Sequence, residues 1–524
     1  MCNYRFLKSA IFSEKLFNQI IMTIFRYKRS VKHEELKEII CARSNSLFSE
    51  YEAGPGIFKL AEGPFISYQR TVDVEMKESD CEVTETFSYK ISAPFWHYLL
   101  HFPMKRALKN SNHSKKLNVW WAPPNRFDAQ TSQTVSLLCV AAIVTGFLGA
   151  LIGQTATFAA EEFGAGDRAQ GILLATVRIG VLLTVFITGL ADKRGRKTLL
   201  EFSLYGGCFL AVLSAVAPNL WILGLTQSFA RGFATSISIL IGIMAAEAAP
   251  KGSRAYIAGL LTLSAGLGAG IPVWILFLAD LHLKGWRLLF ATAIIFFPAI
   301  RWIHLNLGES KRFIAHIENH QSNNGRKQKI IIKRVLFLAS VAFLLFLFVS
   351  PASQFRNEFL RDERDFSAAK ISLFLLTAYT PQIIGVAIAS KVSDLKGRKP
   401  VAMIAVGIGT ILTVASYSIA GFSMWLITMS AGIISAGAGP SLGVYSAEMF
   451  GTGRRGQVNG LLSLTAVTGS ALGLLICGDL AERFNSFGEA FTILAIGPLL
   501  VVLIVYFLFP ESANQELEDL NPDD

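Results

Sequence analysis

The stretch Gly189-Leu190-Ala191-Asp192-Lys193-Arg194-Gly195-Arg196-Lys197 is a short basic turn between two long apolar runs. A near copy, Asp394-Leu395-Lys396-Gly397-Arg398-Lys399, stands 202 residues further on. Glu247 with Arg254 is answered by Glu448 with Arg455 at an offset of 201, and Gly308-Glu309-Ser310 by Pro510-Glu511-Ser512 at an offset of 202. Chance does not align three loops in this way. The chain contains a duplicated unit, and each copy of the three loops follows the second, fourth and sixth apolar run of its half.

Composition sets the medium. Of 524 residues, 52% are hydrophobic and 17% charged, and the mean hydropathy is +0.45. Soluble domains carry about 25% charge, and their cores stop growing near about 250–300 residues. A soluble enzyme is excluded for most of the length, as are collagen-like, coiled-coil and disordered chains. A membrane helix needs about 20 mostly apolar residues. Twelve such runs are present: 136–159, 169–190, 199–217, 221–246, 256–279, 288–306, 335–352, 367–389, 401–420, 424–447, 458–478 and 489–509. They are too long and too uniformly apolar for barrel strands.

The expected fold class is therefore an all-α membrane protein. Its twelve transmembrane helices form two six-helix repeats, preceded by a small cytosolic α+β region. The expected divisions are 1–135 for that region, 136–306 for the first half, 307–334 for a central loop, 335–509 for the second half and 510–524 for a tail. Lys and Arg mark cytoplasmic loops. With residues 1–135 inside, inner loops hold nineteen of them and outer loops seven. This places both termini in the cytoplasm and the protein in the plasma (inner) membrane. The net charge of +11 does not indicate nucleic acid, since 19 of the 49 Lys and Arg lie in 1–130 and most others in short loops. Six cysteines without CxxC or metal spacing give no expectation of a metal or cofactor.

The chain from about 136 onward resembles the major facilitator superfamily, on Gly189…Lys197, its echo at 394–399, Glu247-Ala-Ala-Pro250 with Arg254, Glu448 with Arg455, Glu309-Ser-Lys-Arg312 and Pro510-Glu511-Ser512. These motifs are similar to those of its sugar-porter and metabolite–proton symporter branches. The resemblance implies secondary transport of a small-molecule solute by alternating access, by a monomer in the lipid bilayer, with protons as a possible coupling ion and no enzymatic step. It also implies gating by Asp192, Arg196, Asp394 and Arg398, which would pair with neighbouring helices and close the cytoplasmic side. Glu247, Arg254, Glu448 and Arg455 would add contacts of the same kind. Asp192 and Asp394 stand near the start of the next helix, where a carboxylate meets the positive helix end.

Charge inside a membrane helix is costly and faces a cavity or a partner. Arg178 and Arg231 each fall about ten residues into a span, near the midplane where such transporters bind substrate. Two guanidiniums there suit a carboxylate or phosphate, so an organic anion is the expected solute. Gln154, Gln227, Gln382 and Trp274 are further candidates for the lining. No Asp or Glu lies mid-span, which leaves Glu161 and Glu162, at the end of the first span, as candidates for proton coupling. The alternatives are multidrug or metabolite efflux by proton antiport, and a transporter-like sensor that reads a ligand through residues 1–135. No P-loop or catalytic set is present.

In the front region, Ile11, Phe12, Leu16, Phe17, Ile20, Ile21, Ile24 and Phe25 follow a helical stripe beside Lys15, Arg26, Lys28 and Arg29. It predicts an amphipathic helix. Alternation through Val72, Val74, Met76 and then Cys81, Val83, Phe87, Tyr89 and Ile91 predicts an antiparallel hairpin about Glu78-Ser79-Asp80, with a helix from Pro94 to Asn110. The strand–strand–helix order is similar to the end of a helix-grip fold for hydrophobic ligands. Trp120, Trp121, Pro123 and Pro124 form a linker suited to a membrane interface.

Overall fold

The structure, a computed structural model, describes residues 22–76, 81–93, 95–109, 121–165, 173, 176–178, 180–279, 281–310, 313–314, 332–356, 359–360, 363–366, 368–451, 454–513 and 515. The chain divides into two compact units, Met1–Leu137 and Leu138–Asp524.

Among the described residues, the first unit is a five-stranded antiparallel sheet with two helices. Its strands are β1 (Thr23–Val31), β2 (Ser49–Gly54), β3 (Ile57–Glu62), β4 (Phe65–Met76) and β5 (Cys81–Ile91), in the order β1-β5-β4-β3-β2. The helices are α1 (His33–Ile39) and α2 (His97–Lys109). The expected hairpin is β4–β5, registered Met76 to Cys81 and Val74 to Val83; its turn at 78–80 lies outside the described residues. The expected amphipathic helix is overturned where it can be seen. Ile24, Phe25, Arg26, Lys28 and Arg29 belong to β1, in register with β5 from Thr23–Tyr89 to Val31–Cys81. The rest of that stripe, up to Ile21, lies outside the described residues.

On β5 every second side chain is buried, from Cys81 through Val83, Glu85, Phe87 and Tyr89 to Ile91. Leu36 and Ile39 of α1 cover one end of this face with Val31, Phe58, Val72, Cys81 and Val83. Met104, Ala107 and Leu108 of α2 cover the other with Phe48, Phe65, Phe87 and Tyr89. Charges lie between the two clusters. Arg70 reaches Glu50 at 2.7 Å and Glu85 at 3.0 Å, and Glu85 also takes Arg43 at 2.5 Å and Arg29 at 3.0 Å. Tyr68 donates to Glu50. Burial first, and then the Glu50 carboxylate, holds the Tyr68 hydroxyl well above the usual tyrosine range, so it remains a donor. An apolar ligand in a helix-grip site would lie on this inner face, which is occupied by buried ions.

The second unit is helical: α3 (Ala129–Glu162, entering from the first unit), α4 (Val181–Arg194), α5 (Arg196–Ser214), α6 (Leu220–Ala248), α7 (Arg254–Trp274), α8 (Trp286–Asn306), α9 (Ile332–Gln354), α10 (Ala368–Tyr379), α11 (Gln382–Lys396), α12 (Arg398–Ser418), α13 (Gly421–Glu448), α14 (Arg455–Phe484) and α15 (Phe487–Leu508). Among the described residues, ten helices are long and apolar enough to cross a membrane, with α10 and α11 contributing one between them. The expected second span is described as helix over α4, 14 residues, and much of 169–180 lies outside the described residues. The third, α5, opens on Arg196 and Lys197 and carries Glu201, which lowers its apolar content. Most of the expected central loop is likewise undescribed. The repeats meet where α4 packs on α14 and α7 on α11.

Glu85→Ala leaves Arg29, Arg43 and Arg70 around an apolar slot, and breaking a buried pair costs about 3–5 kcal/mol. Amide exchange in β4 and β5 of the full chain should then accelerate on the order of a hundredfold or more, while Thr84→Ala, on the opposite sheet face, changes it little. Hydrogen-exchange mass spectrometry measures both. Equal rates in Glu85→Ala and the parent would mean that the network does not hold the sheet.

Candidate functional site

The turn that ends α4 depends on Gly195, at φ +102°, and its counterpart ending α11 on Gly397, at φ +109°. A side chain is disfavoured there by the backbone and also by space. A Cβ on Gly195 would lie 2.6 Å from Glu309 Oε2, and one on Gly397 2.7 Å from Glu511 Oε2. Those carboxylates cap the helices that follow. Glu309 accepts from the Lys197 amide at 3.1 Å, and Glu511 from the amides of Arg398 at 2.9 Å and Lys399 at 3.1 Å. The sequence reading gave this place to Asp192 and Asp394.

Asp192 and Asp394 instead cross to the other repeat. Asp192 accepts from the amides of Gly456 at 3.1 Å and Gln457 at 3.0 Å, at the start of α14. Asp394 accepts from Ala255 at 3.1 Å and Tyr256 at 2.7 Å, at the start of α7. Each also lies near the arginine four residues on, 3.8 Å for Asp192–Arg196 and 3.4 Å for Asp394–Arg398.

The glutamates exchange partners in the same way. Glu247 takes Arg196 from its own repeat and Arg455 from the other, the latter at 2.6 Å. Glu448 takes Arg398 from its own repeat and Arg254 from the other at 3.1 Å. The sequence grouped Glu247 with Arg254 and Glu448 with Arg455, and among the described residues each of these glutamates meets the arginine of the other set. All six residues of this network are buried. Ser512 joins only the second set, donating to Glu448 at 2.7 Å. In the first set Arg196 stacks over Phe313 at 5.3 Å.

Two contacts let the repeats approach this closely. A Cβ on Gly259 would collide with Ser390 Oγ, and one on Gly460 would lie 2.8 Å from Thr188 Oγ1. The sequence reading did not assign Glu309, Glu511, Ser512, Gly460 or Thr188 to the site. Their signal is the repeat itself, since Gly460 follows Gly259 at an offset of 201 and Ser390 follows Thr188 at 202. A cavity of about 430 Å³ adjoins the network, lined from both repeats by Thr145, Ser238, Arg254, Thr262, Ser446 and Asn459.

The remaining candidates scatter. Arg178 donates to Ser470 Oγ of the other repeat at 3.4 Å, and Ser470 to Ser350 Oγ at 2.6 Å. Arg231 donates to the Gly149 carbonyl at 3.0 Å, and the two guanidiniums are near enough to repel. Gln154 is half-buried on α3. Gln227, expected in the lining, is buried within its own repeat and donates to Ser214 at 2.8 Å. Gln382 packs against Gly432, and Trp274 is exposed near the end of α7. Glu161 is exposed. Glu162, expected as a proton site, is held by Trp286 Nε1 at 2.7 Å and by Arg287 Nε and Nη2, each at 2.9 Å.

A sequence model of the Sugar (and other) transporter family matches residues 97–333, and one of the Major Facilitator Superfamily matches residues 338–521. No curated protein matches the chain by sequence. The proton:xylose symporter XylE, bound to 6-bromo-6-deoxy-D-glucose, is similar in fold with a TM-score of 0.63 and 17% identity, over 75% of this chain and 99% of its own. The human organic anion transporter MFSD10 (TETRAN) is similar with a TM-score of 0.56 and 13% identity, over 72% and 99%. The E. coli fucose:proton symporter FucP is similar with a TM-score of 0.56 and 11% identity, over 72% and 99%.

Glu448→Gln removes the charge shared by Arg254 and Arg398. At about 3 kcal/mol or more for a broken buried pair, the ratio of joined to separated repeats should fall on the order of a hundredfold. Spin labels at Lys251→Cys and Lys396→Cys should then show a longer distance population, which an unchanged distribution would rule out. At Glu162, burial alone raises the carboxyl, but the Arg287 and Trp286 hydrogen bonds outweigh it and hold it below the usual glutamate range. Its ion pair is present above that range and is lost only as pH falls through the lowered value. Glu162→Gln should therefore leave any transport dependence across about pH 5 to 8 unshifted in a flux profile.

Proposed function

The chain is a member of the major facilitator superfamily, and from that premise we propose that it is a secondary transporter moving a small hydrophilic organic anion by alternating access. The observation that carries the substrate class is the pair Arg178 and Arg231. Among the described residues neither has a carboxylate partner, and their hydrogen bonds go to a hydroxyl and a carbonyl. A guanidinium at mid-membrane depth is costly without a counter-charge, and an anionic solute supplies one by charge-assisted hydrogen bonds.

On this reading α4 and α5 complete a count of twelve spans, and the loops at 192–197 and 394–399 face the cytoplasm. The networks around Glu247 and Glu448 hold that side closed and release when the repeats rock apart. Substrate would enter from the opposite side in this state. Proton coupling falls to Glu161, the exposed carboxylate, since Glu162 is ion-paired.

The test is a ligand-stabilisation screen of purified protein with anionic metabolites, neutral sugars and cationic drugs. A ligand at 100 times its Kd adds about 2.7 kcal/mol, enough to move the melting transition. An anion should stabilise the parent and lose that effect in Arg178→Gln. Equal stabilisation of both proteins by sugars or cations would assign Arg178 to helix packing and overturn the anion reading. Solute flux that survives removal of residues 1–120 would separate transport from sensing.

A further inference from the structure

Helix α2 has two opposed surfaces. Met104, Ala107 and Leu108 are buried against the sheet. The other side carries Phe95, just before the helix, and then Tyr98, Leu99 and Phe102, which are 51%, 88%, 71% and 71% exposed. Steps of three and four residues from Leu99 lead through Phe102 to Arg106 and Lys109, so the apolar stripe runs directly into a basic one. Lys105 stands beside them, also exposed. Among the described residues no carboxylate pairs with Lys105, Arg106 or Lys109; Lys105 and Lys109 lie over the rings of Phe25 and Tyr27 at 5.2 and 4.5 Å.

Adjacent large apolar side chains exposed to this degree mark an interaction surface, and two observations identify the partner. The first is chemistry. Aromatic and aliphatic side chains followed by cations that no described carboxylate neutralises are what a helix lying in the headgroup region presents, with the apolar groups at the acyl boundary and the cations on anionic lipid. The second is the tether. Lys109 is followed 20 residues later by Ala129, the first residue of a helix long and apolar enough to cross a bilayer. That short connection keeps a lipid surface at high local concentration, whereas a soluble partner would have to be recruited by affinity alone.

We propose that α2 is a membrane-surface anchor: Phe95, Tyr98, Leu99 and Phe102 enter the boundary of an anionic leaflet while Arg106 and Lys109 hold its headgroups. This rests on the chain being a membrane protein and not on what it transports. The anchor would fix the first unit at the lipid surface in every transport state.

The test uses the full chain in nanodiscs of mixed phosphatidylserine and phosphatidylcholine, with Cys2 and the exposed Cys41 replaced by Ser. A spin label at Leu99→Cys, a surface position that should tolerate it, is compared with one at Thr86→Cys on the opposite sheet face. The label at 99 should be reached by oxygen and shielded from the water-soluble nickel relaxant, and the label at 86 the reverse. Arg106→Glu with Lys109→Glu should raise nickel access at 99 several-fold. A label at 99 that nickel reaches as readily as at 86 would mean the face is in water. One that neither reagent reaches would mean protein covers it. Either result, or insensitivity to the charge reversal, overturns the proposal.

Discussion

A carboxylate in a dry interior is tolerated only with its partners beside it, and in the helical unit each buried gate carboxylate takes one of them from the other repeat. Asp192 takes the leading amides of α14, and Asp394 those of α7. Glu247 and Glu448 each share one guanidinium from their own repeat and one from the other. Taken alone, each repeat would keep its own Arg–Glu pair but lose the second guanidinium on Glu247 or Glu448 and the amides that receive Asp192 or Asp394. Joined, the two neutralise each other through hydrogen bonds and helix termini, a geometry worth up to about 2 kcal/mol per terminus when partly buried. Because an unpaired ion costs several kcal/mol in a dry interior and little in water, the joined state requires a dry interface. Separation therefore requires water to enter with it.

That electrostatic arrangement sets a steric condition. The carboxylates reach across only if α7 lies directly on α11 and α14 on α4, which is where Gly259 meets Ser390 and Gly460 meets Thr188. It also needs the turns before α5 and α12 to be rigid, and Glu309 and Glu511 hold them from the chain segments that follow α8 and α15. The three repeated loops are thus parts of one device. One loop bears the crossing Asp and the Arg, a second the Glu and the far Arg, and a third the cap on the turn.

The repeated loops were legible because loop spacing survives in a linear sequence, and ten of the twelve expected spans because bilayer thickness fixes the length of an apolar run. The exchange of partners was not legible. Asp192 and Gly456 are 264 residues apart, and nothing local to Glu247 distinguishes Arg254 from Arg455 as its partner. Symmetry admits both pairings, and packing decides between them. In the first unit the alternation of β4 and β5 was readable because the two strands are close neighbours in sequence, Met76 pairing with Cys81. β1 was misread because Ile20, Ile21, Ile24 and Phe25 satisfy a helical period, while Phe25, Tyr27 and Arg29 alternate with Ile24, Arg26 and Lys28 at a period of two. Its partner β5 lies fifty or more residues away, and the pairing settles which period prevails.

The repeat breaks at the centre, and the break has mechanical content. At the repeat offset, Thr380 stands opposite Arg178 and Gly432 opposite Arg231, so both central guanidiniums belong to the first repeat while the second contributes the hydroxyls of Ser350 and Ser470. Under the proposed function, gates built on both repeats respond to their separation, whereas a charged centre built on one is carried by that repeat alone. On the proposed reading, an anion held by Arg178 and Arg231 stays with the first repeat throughout the cycle. The second repeat then moves past it, exchanging one weak contact, Arg178–Ser470 at 3.4 Å, for solvent. At the centre, rocking need not break the charge-assisted bonds to solute, and breaks the long contact from the Arg178 guanidinium to a hydroxyl. The barrier then lies in the gates, where the charge is concentrated, and the central site is free to set which solute is carried.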